Sequence, residues 1–105
     1  MSVIMTFWVQ GDPDKVEQIA AENKEKMRSI ADRAVEHGLI GHRFYGSDSQ
    51  IMVVDEWPDP ESFQRFFDSV RSEIEEMMGQ AGIQSEPQIR FWRKLETHDE
   101  VGWGA

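Results

Sequence analysis

The chain has 105 residues, 11 Lys and Arg against 20 Asp and Glu, a formal net charge of −9, and no Cys. That length allows one domain with a thin core, since chains of this size bury only roughly 60–70% of their unfolded surface. The missing Cys excludes disulfides, thiol nucleophiles, Fe–S clusters and Cys-ligated zinc and fits a cytoplasmic location. The acidic balance repels phosphate backbones and anionic headgroups, so neither nucleic acid nor membrane is an expected partner.

The first apolar run lacks a basic leader and, at about nine residues, is too short for a signal peptide or a bilayer span. Residues 3–10, Val-Ile-Met-Thr-Phe-Trp-Val-Gln, are rich in β-branched and aromatic types and predict a strand. In Gly11-Asp12-Pro13-Asp14, Asp12 suits a helix cap and Pro13 the first helical position, while Asp14 complements the helix dipole. Val16, Ile19, Ala20, Asn23, Met27, Ile30, Ala31 and Ala34 then recur at three- and four-residue steps, the stripe of one long helix. His37-Gly38 ends it, with Gly38 as a left-handed cap.

Residues 39–45 read as a second strand, 46–50 as a turn and 51–57 as a third strand, together a hairpin. Asp59-Pro60-Glu61 repeats the capping pattern and opens a helix marked by Phe63, Phe66, Phe67, Val70, Ile74, Met77 and Met78. It stops at Gly79, and after a Gly/Ser/Pro loop residues 88–95 give the last strand. Strand, Asp-Pro cap, helix and strand thus occur twice. Two such halves joined by a hairpin predict a ferredoxin-like βαββαβ α+β domain over residues 1–96, with a tail at 97–105. Both helices should lie on one face of a four-stranded antiparallel sheet.

The strands do not alternate cleanly between apolar and polar. Met5, Phe7 and Val9 oppose Ile4, Thr6 and Trp8; Ile51, Val53 and Trp57 oppose Met52 and Val54; Ile89, Phe91 and Leu95 oppose Trp92. Helices can cover one face only, so the other predicts a homodimer with sheets face to face.

Val54-Asp-Glu-Trp57 followed by Asp59-Pro-Glu-Ser-Phe63 and Phe66-Phe67 resembles the third-strand-to-helix passage of the antibiotic biosynthesis monooxygenase-like family. Gly38-Leu-Ile-Gly-His-Arg-Phe44 resembles the family's turn into its second strand. With the order of elements, the likeness covers about residues 3–95 and implies a dimeric α+β barrel. Members include cofactor-free quinone-forming monooxygenases, haem-degrading enzymes and isomerases. The haem-degrading branch carries an iron-binding His near the end of its second helix, where this chain reads Glu75-Glu76-Met77-Met78. That branch's helical Trp falls on Phe66 and its first-strand Asn near Met5, so three departures argue against haem degradation.

Among candidate residues, His37 belongs to a helix end and His98 to the tail. His42, in the second strand, suits a general base if it faces a cavity, and is structural if it faces a dimer seam. Arg90 suits an anion partner, or else is a surface charge. Asp55 and Glu56 are adjacent in a strand and point apart, so they cannot act as a pair. Trp8, Tyr45, Trp57, Phe63, Phe66, Met77 and Trp92 are candidate walls of an aromatic-binding cavity, the alternative being that they form the core. No metal-ligand spacing is present, and no cofactor is expected. The resemblance therefore implies a cofactor-independent monooxygenase acting on an aromatic or quinol-like small molecule. The alternative is a non-catalytic ligand-binding or stress-type dimeric barrel.

Overall fold

A computed structural model describes residues 1–103; the last two residues of the expected tail lie outside them. The elements are β1 (Val3–Gln10), α1 (Pro13–Glu22), α2 (Lys24–Glu36), β2 (Gly41–Ser47), β3 (Gln50–Trp57), α3 (Pro60–Gln80) and β4 (Gln88–Trp92). The strands form one sheet in the order β2-β3-β1-β4, every neighbouring pair antiparallel. This is the ferredoxin-like α+β architecture, with three helices rather than the two expected.

Both Asp-Pro caps form. Asp12 accepts a hydrogen bond from the backbone N–H of Asp14 at 3.0 Å, and Asp59 accepts one from Ser62 at 2.7 Å. The long first helix divides at Asn23, whose backbone leaves the helical region (φ −131°, ψ 39°) while its side-chain amide donates to the carbonyl of Ile19 at 2.8 Å. An Asn amide competes with the helical hydrogen-bond ladder, and that local competition breaks the helix without losing the apolar stripe.

Strand limits also differ from expectation, β2 starting at Gly41 rather than at residue 39 and β3 at Gln50 rather than at residue 51. β2 runs through Gly46 and Ser47, leaving only Asp48-Ser49 between the strands. Gly46 is needed there for space: a Cβ on it would lie 2.8 Å from Cβ of Pro13. Its role is to let the start of α1 approach the sheet rather than to turn the chain. β4 stops at Trp92, which pairs with Ile4 near the start of β1. Leu95, expected in this strand, lies beyond it and is exposed.

The register assigns each side chain to a face. His42 pairs with Asp55, Phe44 with Val53, and Val9 with Ile51, so these residues share the helix-covered face with Met5, Phe7, Trp57 and Phe91. Met5, Trp57 and Val70 are fully enclosed, and Phe63, Phe66 and Phe67 from α3 pack against them. Burying each such side chain contributes about 1.5–3 kcal/mol. On the outer face, Ile4, Trp8, Met52 and Val54 are half-buried, and Tyr45 and Trp92 are 42% and 48% exposed. No helix among the described residues is long and apolar enough to cross a membrane.

Candidate functional site

Between the sheet and the helices lies a cavity of about 170 Å³. The predicted helical stripe supplies one wall through Val16, Ile19, Met27 and Ile30, and α3 supplies Phe63, Phe66, Ile74 and Met77. The sheet forms the floor with Met5, Phe7, Val9, Phe44 and Val53. Of all the lining residues, only His42 and Asp55 carry polar end groups.

Those two residues are joined. Nδ1 of His42 lies 2.6 Å from Oδ1 of Asp55, and the indole Nε1–H of Trp57 donates to Oδ2 of Asp55 at 3.0 Å. Strand geometry produces this chain of contacts. His42 is the cross-strand partner of Asp55, and Trp57, two residues further along β3, points to the same face. The Asp55 carboxylate is 5% exposed, and a buried carboxylate is costly unless its oxygens are hydrogen-bonded. Both oxygens have partners here. Trp57 is wholly buried against Phe63 and Phe66, which holds its N–H in place.

The pairing has a chemical consequence. A carboxylate accepts only, so it favours the His42 tautomer that carries its proton on Nδ1. Nε2 then holds a lone pair, and it makes no hydrogen bond among the described residues. The ring stands edge to face against Phe44, 5.4 Å between centroids, and its side chain is one-third exposed at the cavity wall. An oriented imidazole with a free nitrogen beside an apolar space is the arrangement a general base requires.

The sheet divides the remaining expected site residues. Phe63, Phe66 and Met77 line the cavity with His42, while Trp57 lies behind it as the support of Asp55. Trp8, Tyr45, Arg90 and Trp92 project from the opposite face and do not line it. Out there Trp92 donates to the hydroxyl of Thr6 at 2.9 Å, the Arg90 guanidinium lies 5.3 Å from the Trp92 ring, and Arg43 contacts the hydroxyl of Tyr45. The reason is the two-residue period of a strand, which sends Arg90 and Trp92 one way and Ile89 and Phe91 the other. His37 caps α2, its Nδ1 2.9 Å from the carbonyl of Arg33. No cluster of three or more His, Asp or Glu with metal-binding geometry exists among the described residues.

Asp55 is the site residue that strand composition alone does not single out. One signal was available: in the inward series Ile51, Val53, Asp55, Trp57 it is the lone charge.

This ferredoxin-like architecture recurs among solved structures. No family model matches the sequence, and no curated protein matches it. A dimeric ferredoxin-like protein from an uncultured marine organism superposes with a TM-score of 0.67 at 13% identity, over 95% of this chain and 93% of that one. A monooxygenase from the gene ActVA-Orf6 of Streptomyces coelicolor, in complex with nanaomycin D, gives 0.64 at 13% identity over 95% and 92%. SnoaB, a cofactor-independent oxygenase from Streptomyces nogalater, gives 0.55 at 15% identity over 94% and 96%. Other structures of the same fold carry the name antibiotic biosynthesis monooxygenase. At these identities the likeness establishes the fold.

Proposed function

We propose that this chain is a homodimeric, cofactor-independent oxygenase of a small hydroxylated aromatic molecule, with His42 as its general base. The observation that carries the reading is the Trp57–Asp55–His42 chain of contacts at the wall of an otherwise apolar cavity, with Nε2 of His42 making no hydrogen bond among the described residues. Two structures of the same fold are named as a monooxygenase and a cofactor-independent oxygenase, which supports the choice of reaction class.

The chemistry needs little from the protein. Nε2 of His42 takes the hydroxyl proton of a phenol-type substrate, leaving an electron-rich anion. That anion gives an electron to O₂, and the two radicals combine at a ring carbon to a peroxide. Loss of water, whose oxygen is the distal peroxide atom, leaves a quinone. The balance is one phenol bearing a free ring C–H plus one O₂, giving one quinone and one water. Protonated His42 is also the N–H donor that faces the developing charge, since the cavity has no Lys or Arg in its lining. The remaining walls are apolar, so His42 is the donor the anion meets there. Arg90, on the far side of the sheet, has no part in this step.

The dimer uses the outer face. Trp8, Tyr45 and Trp92, together with Ile4, Met52 and Val54, give it large apolar groups that no helix covers. A neighbour of the same fold is described as dimeric. Sedimentation at micromolar concentration is expected to give twice the 12.2 kDa chain mass, and a clean monomer would refute this part.

Oxygen uptake with a panel of hydroxylated aromatics tests the reaction. Turnover is expected, and His42→Ala should lower it at least tenfold. Binding without uptake across the panel would replace the oxygenase with a ligand-binding role. Turnover unchanged in the variant would remove His42 from the mechanism.

A further inference from the structure

The cavity also restricts what the ligand can be, an inference that rests on the site proposed above. Its volume, about 170 Å³, is close to that of engineered apolar cavities of about 150 Å³ that hold one benzene ring, and below the roughly 300–1,000 Å³ of drug-sized pockets. Polar side chains line the space at one place, where His42 and Asp55 lie, and they come from adjacent strands in directly opposed positions. The floor then continues along the strands through Phe44 and Val53 to Val9 and Ile51, all apolar. A hydroxyl carried there would lose its water and gain no partner, whereas one at the His42 end can donate to Nε2.

Charge narrows the class further. The buried Asp55 carboxylate is the one formal anion on the wall, and no Lys or Arg stands beside it in the lining. A ligand carboxylate about 6 Å from it, at an effective dielectric near 20, is disfavoured roughly a hundredfold. We infer that the cavity takes a neutral single-ring aromatic whose hydroxyl groups are confined to one edge of the ring, and that it rejects both aromatic acids and rings with hydroxyls on opposite edges.

Four probes test this in the full chain by calorimetric titration: m-cresol, toluene without its hydroxyl, 3-methylbenzoate with a carboxylate in the hydroxyl's place, and hydroquinone with hydroxyls on opposite edges. One added hydrogen bond of ordinary strength corresponds to about a two- to tenfold gain. m-Cresol is therefore expected to bind at least threefold tighter than toluene, and at least tenfold tighter than 3-methylbenzoate or hydroquinone. In a His42→Phe variant that still melts cooperatively, toluene binding should persist and the preference for m-cresol should vanish. Equal affinity for m-cresol and toluene in the wild-type chain overturns the hydroxyl requirement while leaving an apolar binding cavity standing. Tighter binding of 3-methylbenzoate or hydroquinone overturns the charge or edge argument. Failure of all four to bind removes both this inference and the site it rests on.

Discussion

Replacing Trp57 by Phe isolates the support of the buried carboxylate. The change keeps an aromatic ring against Phe63 and Phe66 but deletes the N–H that donates to Asp55 at 3.0 Å. A hydrogen bond to a charged group is worth about 1.5–3 kcal/mol, and the carboxylate oxygen left behind is almost fully enclosed. The smaller ring in a wholly buried position adds about 1 kcal/mol. The expected loss is therefore about 3 kcal/mol, or a drop of roughly 12–24 °C in Tm for a domain near this size. Urea unfolding at fixed protein concentration measures it, a condition that matters if the chain dimerises. The decisive comparison is the double variant Asp55→Val with Trp57→Phe. Removing both leaves no stranded charge, and His42, with a side chain one-third exposed, can turn its Nδ1–H to water, so the double variant should be more stable than Trp57→Phe alone by about 1–2 kcal/mol. A Trp57→Phe loss below about 0.5 kcal/mol, or losses that simply add, would refute the idea that Trp57 holds Asp55.

In Asp55→Asn, the amide can present a donor to His42, so the ring should lose its fixed Nδ1–H tautomer; ¹⁵N NMR of the imidazole reads this directly, and an unchanged tautomer counts against the positioning role of Asp55. Gly46→Ala should destabilise the fold by about 1–3 kcal/mol, because the new Cβ meets the rigid ring of Pro13, and thermal melting should show it. Arg33 of α2 grips Glu73 of α3 through two hydrogen bonds, of 2.7 and 2.9 Å. That pairing, chiefly the hydrogen bond, holds the Glu73 carboxyl below its usual range. A carboxyl depressed in the folded state adds stability above its unfolded pKa and loses it as pH falls through the folded value. The Tm difference between wild type and Glu73→Gln should therefore be present at neutral pH and shrink through the acid range below about pH 4. A difference independent of pH would show that the ion pair is not its source.

Local chemistry wrote most of the fold into the chain. The two Asp-Pro caps start α1 and α3 because an Asp side chain satisfies free helical N–H groups and Pro has none to satisfy. The apolar stripe from Val16 to Ala34 finds the cavity wall because its period matches a helix, and it survives the break at Asn23. The three helix-3 phenylalanines are buried as their spacing requires. These signals lie within a few residues of one another.

The site was only partly readable, since alternation sorts a strand's residues into two sets without saying which set faces the helices. His42 and Trp8 are equivalent candidates on composition, yet one lines the cavity and the other lies on the outer face. Register decides this, and register is a relation between strands: the pairing of His42 with Asp55 across 13 residues of chain brings an imidazole to a carboxylate. Sequence by itself determined the order of strands and helices, apart from the break at Asn23, together with the caps and the apolar faces, because each depends on near neighbours in the chain. The joining of His42, Asp55 and Trp57 on one face, and the exclusion of Arg90 from it, depended on how separate strands line up, which only the tertiary structure decided.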